Sequence, residues 1–388
     1  MFEITLKLIF FGATICQLAY WFFVFSKLAF YKLDKKENAQ ESTPSVLGSD
    51  LPPISVVICA RNEAANLRKN LPIILNQEYA SFEVIVVNDA STDETSEILN
   101  GFLLKYQHLR TITIVNKKII GKKGALAAGI EAAKYEWLLL TDADCYPLLP
   151  RSTRSNKYPF GNKNWILGMI KGVDAKEIGL GYAPYEKRDG FLNIFIRYET
   201  AWTAIQYMGF ALAGEPYMGV GRNMIYMKKL YQKVGGFQKH AHIASGDDDL
   251  FINSVISRKN FSIILNPETF MLSEPQTRWN AYFTQKSRHF STATSYTLKH
   301  KMMLGTLSAS HFFYFVTAFS LLALKISTIF VLLGLVVRTL VMWFFYGKIL
   351  RRFHEHNLIL WIPVLDVVYV FFYLFFLPAL MIKTRKWR

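Results

Sequence analysis

From residue 54 onward, short apolar runs alternate with amphipathic stretches. Residues 54–59 (ISVVIC) form a continuous β-branched run, the pattern of a strand covered on both faces. Residues 63–75 follow with Ala64, Leu67, Leu71, Ile74 and Leu75 at helical spacing. A second strand is expected at 82–87 (FEVIVV). Ser91 and Glu94 match a capping box, opening a helix with Ile98, Leu99, Phe102 and Leu103 on one face. A third strand at 109–115, an Ala-rich helix at 124–133 and a fourth strand at 136–141 complete the run. This alternation predicts an α/β unit with a mostly parallel sheet. The pattern is less regular beyond it. A basic loop at 147–164 leads to residues 165–171, and a Gly/Tyr-rich strand is expected around 178–182. Phe191–Leu212 reads as an aromatic amphipathic helix, either a core or interfacial element or a wall of an acceptor site.

Three longer apolar blocks lie at the ends of the chain, at 4–30, about 311–345 and 358–382. The first is long enough to cross roughly 30 Å of hydrocarbon, and no small-residue cleavage site follows it, so an uncleaved anchor is expected. Lys325 and Arg338 interrupt the second block. Asp366 lies within the third, where an acid in hydrocarbon is costly and is expected to face another helix or a headgroup. The polar stretch 33–52 reads as a linker between anchor and folded domain.

Hydrophobic residues make up 52% of the 388-residue chain, and the terminal blocks carry the excess. The net charge of +16 is placed beside those blocks, with Lys27, Lys32, Lys35 and Lys36 after the first. By the positive-inside rule, the segment after the anchor is cytoplasmic. Lys348, Arg351 and Arg352, then Lys383, Arg385, Lys386 and Arg388, flank the last block. They fit juxtamembrane anchors at an anionic leaflet. No stripe of basic and aromatic residues runs through the middle of the chain, which argues against nucleic-acid binding. Basic clusters at both ends of the last block conflict with one simple span. A re-entrant segment around Pro363 and Pro378 is one resolution, and a breach of the positive-inside rule is the other. Cys16, Cys59 and Cys145 are far apart with no CxxC pair, which argues against a structural zinc site or disulfide framework and suits a reducing cytosol.

Ligands of parallel α/β sheets bind at the carboxyl ends of the strands. Each unusual polar cluster falls at such an end: Ala60-Arg61-Asn62-Glu63, Asn88-Asp89-Ala90-Ser91-Thr92-Asp93, and Asp142-Ala143-Asp144. Asp142 and Asp144, one residue apart on an extended chain, would point the same way and offer hard oxygen ligands to Mg2+ or Mn2+ shared with a diphosphate. Asp247-Asp248-Asp249, before an apolar helical pattern, either decorates a helix N-terminus or supplies a general base.

Together with Gln285-Lys286-Ser287-Arg288-His289, these segments resemble glycosyltransferase family 2 over roughly residues 53–295. That group comprises inverting enzymes of GT-A fold and includes membrane-bound cellulose, hyaluronan and ceramide glucosyl synthases. The resemblance implies an α/β GT-A (Rossmann-like) catalytic domain with N- and C-terminal transmembrane helices. It implies nucleotide binding by Ala60, Glu63, Asp89 and Asp142, with Asp89 at the uracil. It also makes Asp144 the direct metal ligand, beside Asp142 near the ribose and diphosphate. The base of the family's Glu-Asp-x-x-Leu-like motif falls on Asp247, with Asp248 one step away. Lys122 and Lys123 lie where relatives place a Gly-Lys near the nucleotide, and Lys123 is taken as the contact. Gly219–Asn223 (GVGRN) lies where the family puts acceptor-contacting backbone. Gln285, Arg288 and His289 resemble the Gln-x-x-Arg-Trp motif near acceptor and diphosphate, with His289 replacing the Trp and its stacking surface.

The expected architecture is an anchor at 1–32, a linker at 33–52, a cytoplasmic catalytic domain at 53–300 with interfacial helices near its end, and C-terminal membrane helices with a basic tail at 306–388. The expected reaction moves a sugar from a UDP-sugar, or less readily a GDP-sugar, to a hydroxyl on a lipid or lipid-linked acceptor. The expected setting is the cytoplasmic face of a bacterial inner membrane, with Mn2+ or Mg2+ as cofactor. A processive polysaccharide synthase and a non-catalytic sugar-nucleotide-binding membrane protein are the rival readings. A nucleotidyltransferase would lack the Gln-x-x-Arg element.

Overall fold

The structure is a computed structural model describing residues 1–32, 51–115, 119, 121–148, 162–243, 245–290 and 292–376. The linker, most of the basic loop at 149–161, and the tail from 377 with Pro378 and its basic cluster lie outside the described residues. The chain forms two compact units. One comprises Lys32–Arg188 and Tyr217–Arg278, the other Met1–Tyr31, Asp189–Pro216 and Trp279–Lys383. Phe191–Leu212 and Trp279–Phe290, expected inside the 53–300 domain, therefore belong to the helical unit.

The first unit is built on a seven-stranded sheet. In chain order its strands are β1 (Ile54–Ala60), β2 (Phe82–Asp89), β3 (Leu109–Ile114), β4 (Trp137–Asp142), β6 (Ile178–Gly181), β7 (Met224–Met227) and β8 (Phe261–Ile264). A two-stranded sheet pairs β5 (Cys145–Pro147) with β9 (Met271–Ser273). The large sheet runs β3-β2-β1-β4-β7-β6-β8. The pairs among β1 to β4 are parallel, β7 is antiparallel to both β4 and β6, and β6 is parallel to β8. Every residue of β1 is buried, as its unbroken apolar run requires, so helices must cover both faces. One of them, Ala64–Leu75, sends Leu67, Leu71, Ile74 and Leu75 into the core around Val56, Ile58, Val84 and Val86. Each such aliphatic side chain contributes about 1.5–3 kcal/mol on burial.

One local expectation is corrected. Ser91 and Glu94 do not form a capping box: the helix is Thr95–Leu103, and its first N–H donates to Asp93 Oδ1 at 3.1 Å. The Ser91 hydroxyl instead accepts the Asn62 N–H at 3.0 Å, from the loop after β1. A tertiary partner took the side chain that the local pattern reserved for a cap.

The second unit is helical. It contains a continuous N-terminal rod, Phe2–Ala29, with a π-helical stretch at Tyr20–Phe25. Phe191–Leu212, Trp279–Phe290, Leu298–Ala323, Thr328–Arg352 and Ile362–Phe376 follow, the last preceded by a 3-10 turn at His356–Trp361. Among the described residues, four helices are long and apolar enough to cross a membrane: Phe2–Ala29, Leu298–Ala323, Thr328–Arg352 and His356–Phe376. The apolar block at 311–345 is thus two helices, broken at Lys325 and Ser327, which take left-handed φ values of 57° and 48°. Arg338 does not interrupt its helix. It is buried against Asp366, and its guanidinium also donates to Gln17 Oε1 at 2.9 Å. His311 Nε2 lies 3.0 Å from the same Asp366, and Gln17 donates to Ser310 Oγ at 2.8 Å. Asp366 faces other helices, the arrangement by which an acid among apolar helices is compensated.

Candidate active site

The carboxyl ends of β1, β2 and β4 lie side by side, with Ala60 opposite Asn88 and Cys59 opposite Asp142 in the strand register. The loops leaving β1 and β2 interlock. Asn62 and Ala90 both take positive φ, 57° and 51°, a strained turn for residues other than glycine. The strain is held by cross-loop bonds: Thr92 N–H to Asn62 Oδ1 (2.8 Å), Glu63 N–H to Thr95 Oγ1 (3.1 Å) and Ala64 N–H to Asp93 Oδ2 (3.1 Å). Glu63 stands at the start of helix Ala64–Leu75, with Asn66 Nδ2 donating to its carboxylate at 2.6 Å. Ala60 and Asp89 are fully buried at the ends of their strands.

Asp142 is the last residue of β4, and Asp144 follows in the turn into β5. Ligand atoms of Asp142, Asp144 and Cys145 lie within 4.8 Å of one another. Burial, and then the nearby Asp142, push the Asp144 carboxyl above its ordinary value. Burial and Asp144 likewise push the Cys145 thiol well up, and its Sγ donates to Asp144 Oδ1 at 3.1 Å. A thiol held protonated is a poor ligand, which leaves two hard carboxylate donors with excess negative charge. That donor set fits Mg2+ or Mn2+ rather than zinc.

Lys122 opens helix Lys122–Ala132 after Gly121, whose φ is 82°. Its ammonium lies 2.5 Å from Asp142 Oδ1 and 3.2 Å from Asp247 Oδ2. Burial alone would lower this lysine, but Asp142 and Asp247 hold it well above its ordinary value. The neighbouring Lys123 is turned elsewhere. It donates to the carbonyls of His240 (2.8 Å) and Ile243 (3.2 Å), and burial pulls it below its ordinary value. Of the lysine pair, Lys122 therefore meets the acids, while Lys123 holds the loop before Asp247.

The three consecutive aspartates differ in their work. Gly246 turns the chain with φ 93°. Asp248 caps helix Asp249–Val255, accepting the Asp249 N–H, and its other oxygen accepts the Gly221 N–H, both at 2.8 Å. A Cβ on Gly221 would meet the Asp248 side chain at 3.2 Å, so a larger residue there would have to push that side chain aside by a few tenths of an ångström. Burial, then Asp247 and Asp249, push Asp248 up to about 7. Burial would also raise Asp247, but Lys122 outweighs it and holds the carboxyl below its ordinary value. Asp249 Oδ1 accepts the Leu250 N–H at 2.7 Å, so it too is engaged by backbone.

Gln285, Arg288 and His289 lie on helix Trp279–Phe290 of the helical unit. Lys286, between them in sequence, is buried in an ion pair with Glu199 of helix Phe191–Leu212. Sequence alone prefers Lys123 to Lys122 and places Arg222 only within the Gly219–Asn223 segment expected to offer backbone to the acceptor. Arg222 had one available sign, a cation two residues before a strand whose beginning lies beside the end of β4.

Residues 55–150 match glycosyl transferase family 2, and residues 172–381 match glycosyl transferase family group 2. The chain belongs to this family and is a glycosyltransferase, and its sheet unit has the GT-A fold. Over 247 residues it is 26% identical to a probable glycosyltransferase YdaM of Bacillus subtilis, covering 62% of this chain and 54% of that protein. It is 35% identical over 91 residues to a poly-β-1,6-N-acetyl-D-glucosamine synthase of Staphylococcus epidermidis, covering 24% of this chain and 21% of that one. It is 33% identical over 122 residues to the human dolichyl-phosphate β-glucosyltransferase, covering 28% and 36%. The chain thus spans about half or less of the length of these relatives. Among solved structures, the mannosyltransferase PcManGT from Pyrobaculum calidifontis, in complex with GDP-Man and Mn2+, superposes with a TM-score of 0.53 at 18% identity, over 95% of this chain and 97% of that one.

Proposed function

We propose that this glycosyltransferase moves a sugar, with inversion, from a nucleoside-diphosphate sugar to a hydroxyl of a lipid or lipid-linked acceptor at the cytoplasmic face of a membrane. The observation that carries the reading is the convergence of Asp142, Asp144, Asp247 and Lys122 at the strand ends. Glu63, Asp89 and Ala60 hold the nucleoside at the ends of β1 and β2, and a UDP-sugar is the preferred donor over a GDP-sugar. Asp144, with Asp142, would hold a divalent Mn2+ or Mg2+ ion, which when bound offsets the charge of the departing diphosphate. Asp247 is the base. Its carboxylate takes the acceptor hydroxyl proton as that oxygen bonds to the anomeric carbon and the bond from that carbon to the diphosphate oxygen breaks. Asp248 is the weaker candidate, because both of its oxygens already accept backbone N–H groups. Lys122 keeps Asp247 ionised and oriented. Gln285, Arg288 and His289 are proposed to serve the acceptor and diphosphate.

The four candidate spans support a membrane-held acceptor, and one relative carries a lipid phosphate, dolichyl phosphate, in its name. A processive polysaccharide synthase is the second reading, favoured by the poly-β-1,6-N-acetyl-D-glucosamine synthase among the relatives. The test is release of nucleoside diphosphate by detergent-purified protein from UDP-glucose, UDP-galactose, UDP-N-acetylglucosamine or GDP-mannose, with and without lipid extract. The expected result is lipid-dependent release from one donor, abolished by EDTA. Donor-dependent growth of a long glycan without lipid would favour the second reading, and no release with any donor would overturn both.

A further inference from the structure

Arg222 lies two residues before β7, whose first residue Met224 is opposite Leu140 of β4. Because β7 is antiparallel to β4, its beginning lies at the same edge of the sheet as the end of β4, where Asp142 and Asp144 stand. Asn223 fixes the backbone at this point. It is fully buried, donates to the carbonyls of Tyr182 (2.8 Å) and Thr269 (2.7 Å), and accepts from Trp165 Nε1 at 3.1 Å. The guanidinium of Arg222 lies over the Tyr185 ring, 4.4 Å from its centroid, and one of its nitrogens donates to the Ala183 carbonyl at 3.0 Å. Stacking and that bond hold the plane of the group. Its other terminal nitrogen, Nη1, is buried with no hydrogen-bond partner. A buried guanidinium nitrogen left unmatched costs stability unless a ligand completes it. Burial opposes the Arg222 charge, and the nearby Asp144 and Asp142 carboxylates favour it.

We propose that Arg222 is a donor-binding residue whose free Nη1 takes an oxygen of the terminal phosphate of the nucleoside diphosphate. Strand order carries the assignment. Across the sheet the ends run β2, β1, β4, β7, with Asp89 on β2 and Arg222 at the head of β7. A ligand with its nucleoside over β2 and β1 and its diphosphate at Asp142 and Asp144 has its distal phosphate nearest β7. A planar, fixed cation suits a phosphate oxygen better than a sugar hydroxyl does. Lys122 is already engaged by Asp142 and Asp247, so it does not supply this contact in the structure.

The inference rests on the donor reading above, and calorimetric titration of the detergent-purified full chain separates the two. UDP and UMP are titrated with Mn2+, with GDP and GMP in parallel. Arg222→Met is expected to weaken the diphosphate about ten- to a hundredfold, the range for loss of a charged hydrogen bond, and to leave the monophosphate unchanged. Arg222→Lys keeps the cation and stem, so it guards against a folding defect and should lose less, with the same selectivity. Equal loss of diphosphate and monophosphate in both variants would overturn the proposal, as would unchanged affinity for both. Failure of the unaltered chain to bind either diphosphate would instead remove the donor reading, and the proposal with it.

Discussion

Lys122 in the sheet unit and Arg338 in the helical unit are both cations enclosed by aspartates, but their surroundings differ. Arg338 meets Asp366 and Gln17, and Asp366 also meets His311, so four helices share a network with one acid for its one permanent cation. Lys122 sits between Asp142 and Asp247, with Asp144, Asp248 and Asp249 close behind and Lys123 and Arg222 as further cations nearby. The first cluster is balanced in charge, although Arg338 Nε is buried without a hydrogen-bond partner. The second carries surplus negative charge, and burial and its neighbours push Asp144 and Asp248 above the ordinary carboxyl range. A structural ion pair is most stable when nothing is left over, whereas a site that receives a cation or a proton must hold charge in reserve.

The sharpest way to break this contrast is to change one acid in each cluster. Asp247→Asn should cut nucleoside diphosphate release by about 10²- to 10⁴-fold, the usual contribution of a positioned base, while nucleotide affinity in calorimetry stays within a few fold. A matching loss in Asp248→Asn with Asp247→Asn active would reverse the assignment of the base. In the balanced cluster, Asp366→Asn leaves Arg338 buried without its counter-charge and should lower stability by about 3–5 kcal/mol. Thermal unfolding in detergent reads this, and the double change Arg338→Met with Asp366→Leu should recover most of it. If the single change costs nothing, the network is not what joins these helices.

Lys122→Met should act in between. Without metal it leaves Asp142 and Asp247 facing each other uncompensated, and a cost of about 1–3 kcal/mol is expected. Mn2+ should then raise the melting temperature of the variant more than that of the unaltered chain. An equal rise in both would show that Lys122 and the ion do not compensate the same charge.

A further effect should be graded with pH. Asp248 titrates at about 7 in the folded chain, against about 3.9 for an unfolded aspartate. Between those values the folded state keeps a proton that the unfolded state has released, so stability should fall as pH rises from about 4 to about 7. Asp247 works the other way and in another window: its lowered value adds stability that is lost only below about 4. Asp248→Asn should flatten the decline between 4 and 7 in melting temperatures measured without metal, and an unchanged slope would assign it to another group.

Much of the sheet unit was legible because its information is local. The continuous apolar runs at residues 54–59 and 82–87 lie within β1 and β2, and the strand-end position of Asp142 follows from the apolar run before it. Phe191–Leu212 was legible for the same reason, its aromatic and aliphatic residues recurring at helical spacing. Legibility failed where a side chain had two plausible partners. Ser91 had a local cap and a tertiary bond to Asn62 to choose between, and the tertiary bond won. Lys122 and Lys123 are adjacent and chemically equal, yet one faces acids and the other faces backbone carbonyls. Only the direction of each side chain at the start of helix Lys122–Ala132 separates them.

By itself, then, the sequence determined the α/β alternation, the strand-end acids, the apolar terminal helices and the family that these patterns resemble. Each depends on residues a few positions apart, where periodicity and turn chemistry act. Tertiary structure alone decided that Asp248 also accepts the Gly221 N–H, that Lys122 bridges Asp142 and Asp247, that Arg222 keeps a nitrogen unmatched, and that Arg338 meets Asp366. These pairings join residues far apart along the chain. Hydrogen bonds are short-ranged and directional, and an ion pair gains most at contact, so which partners meet is set by the packing that brings them together.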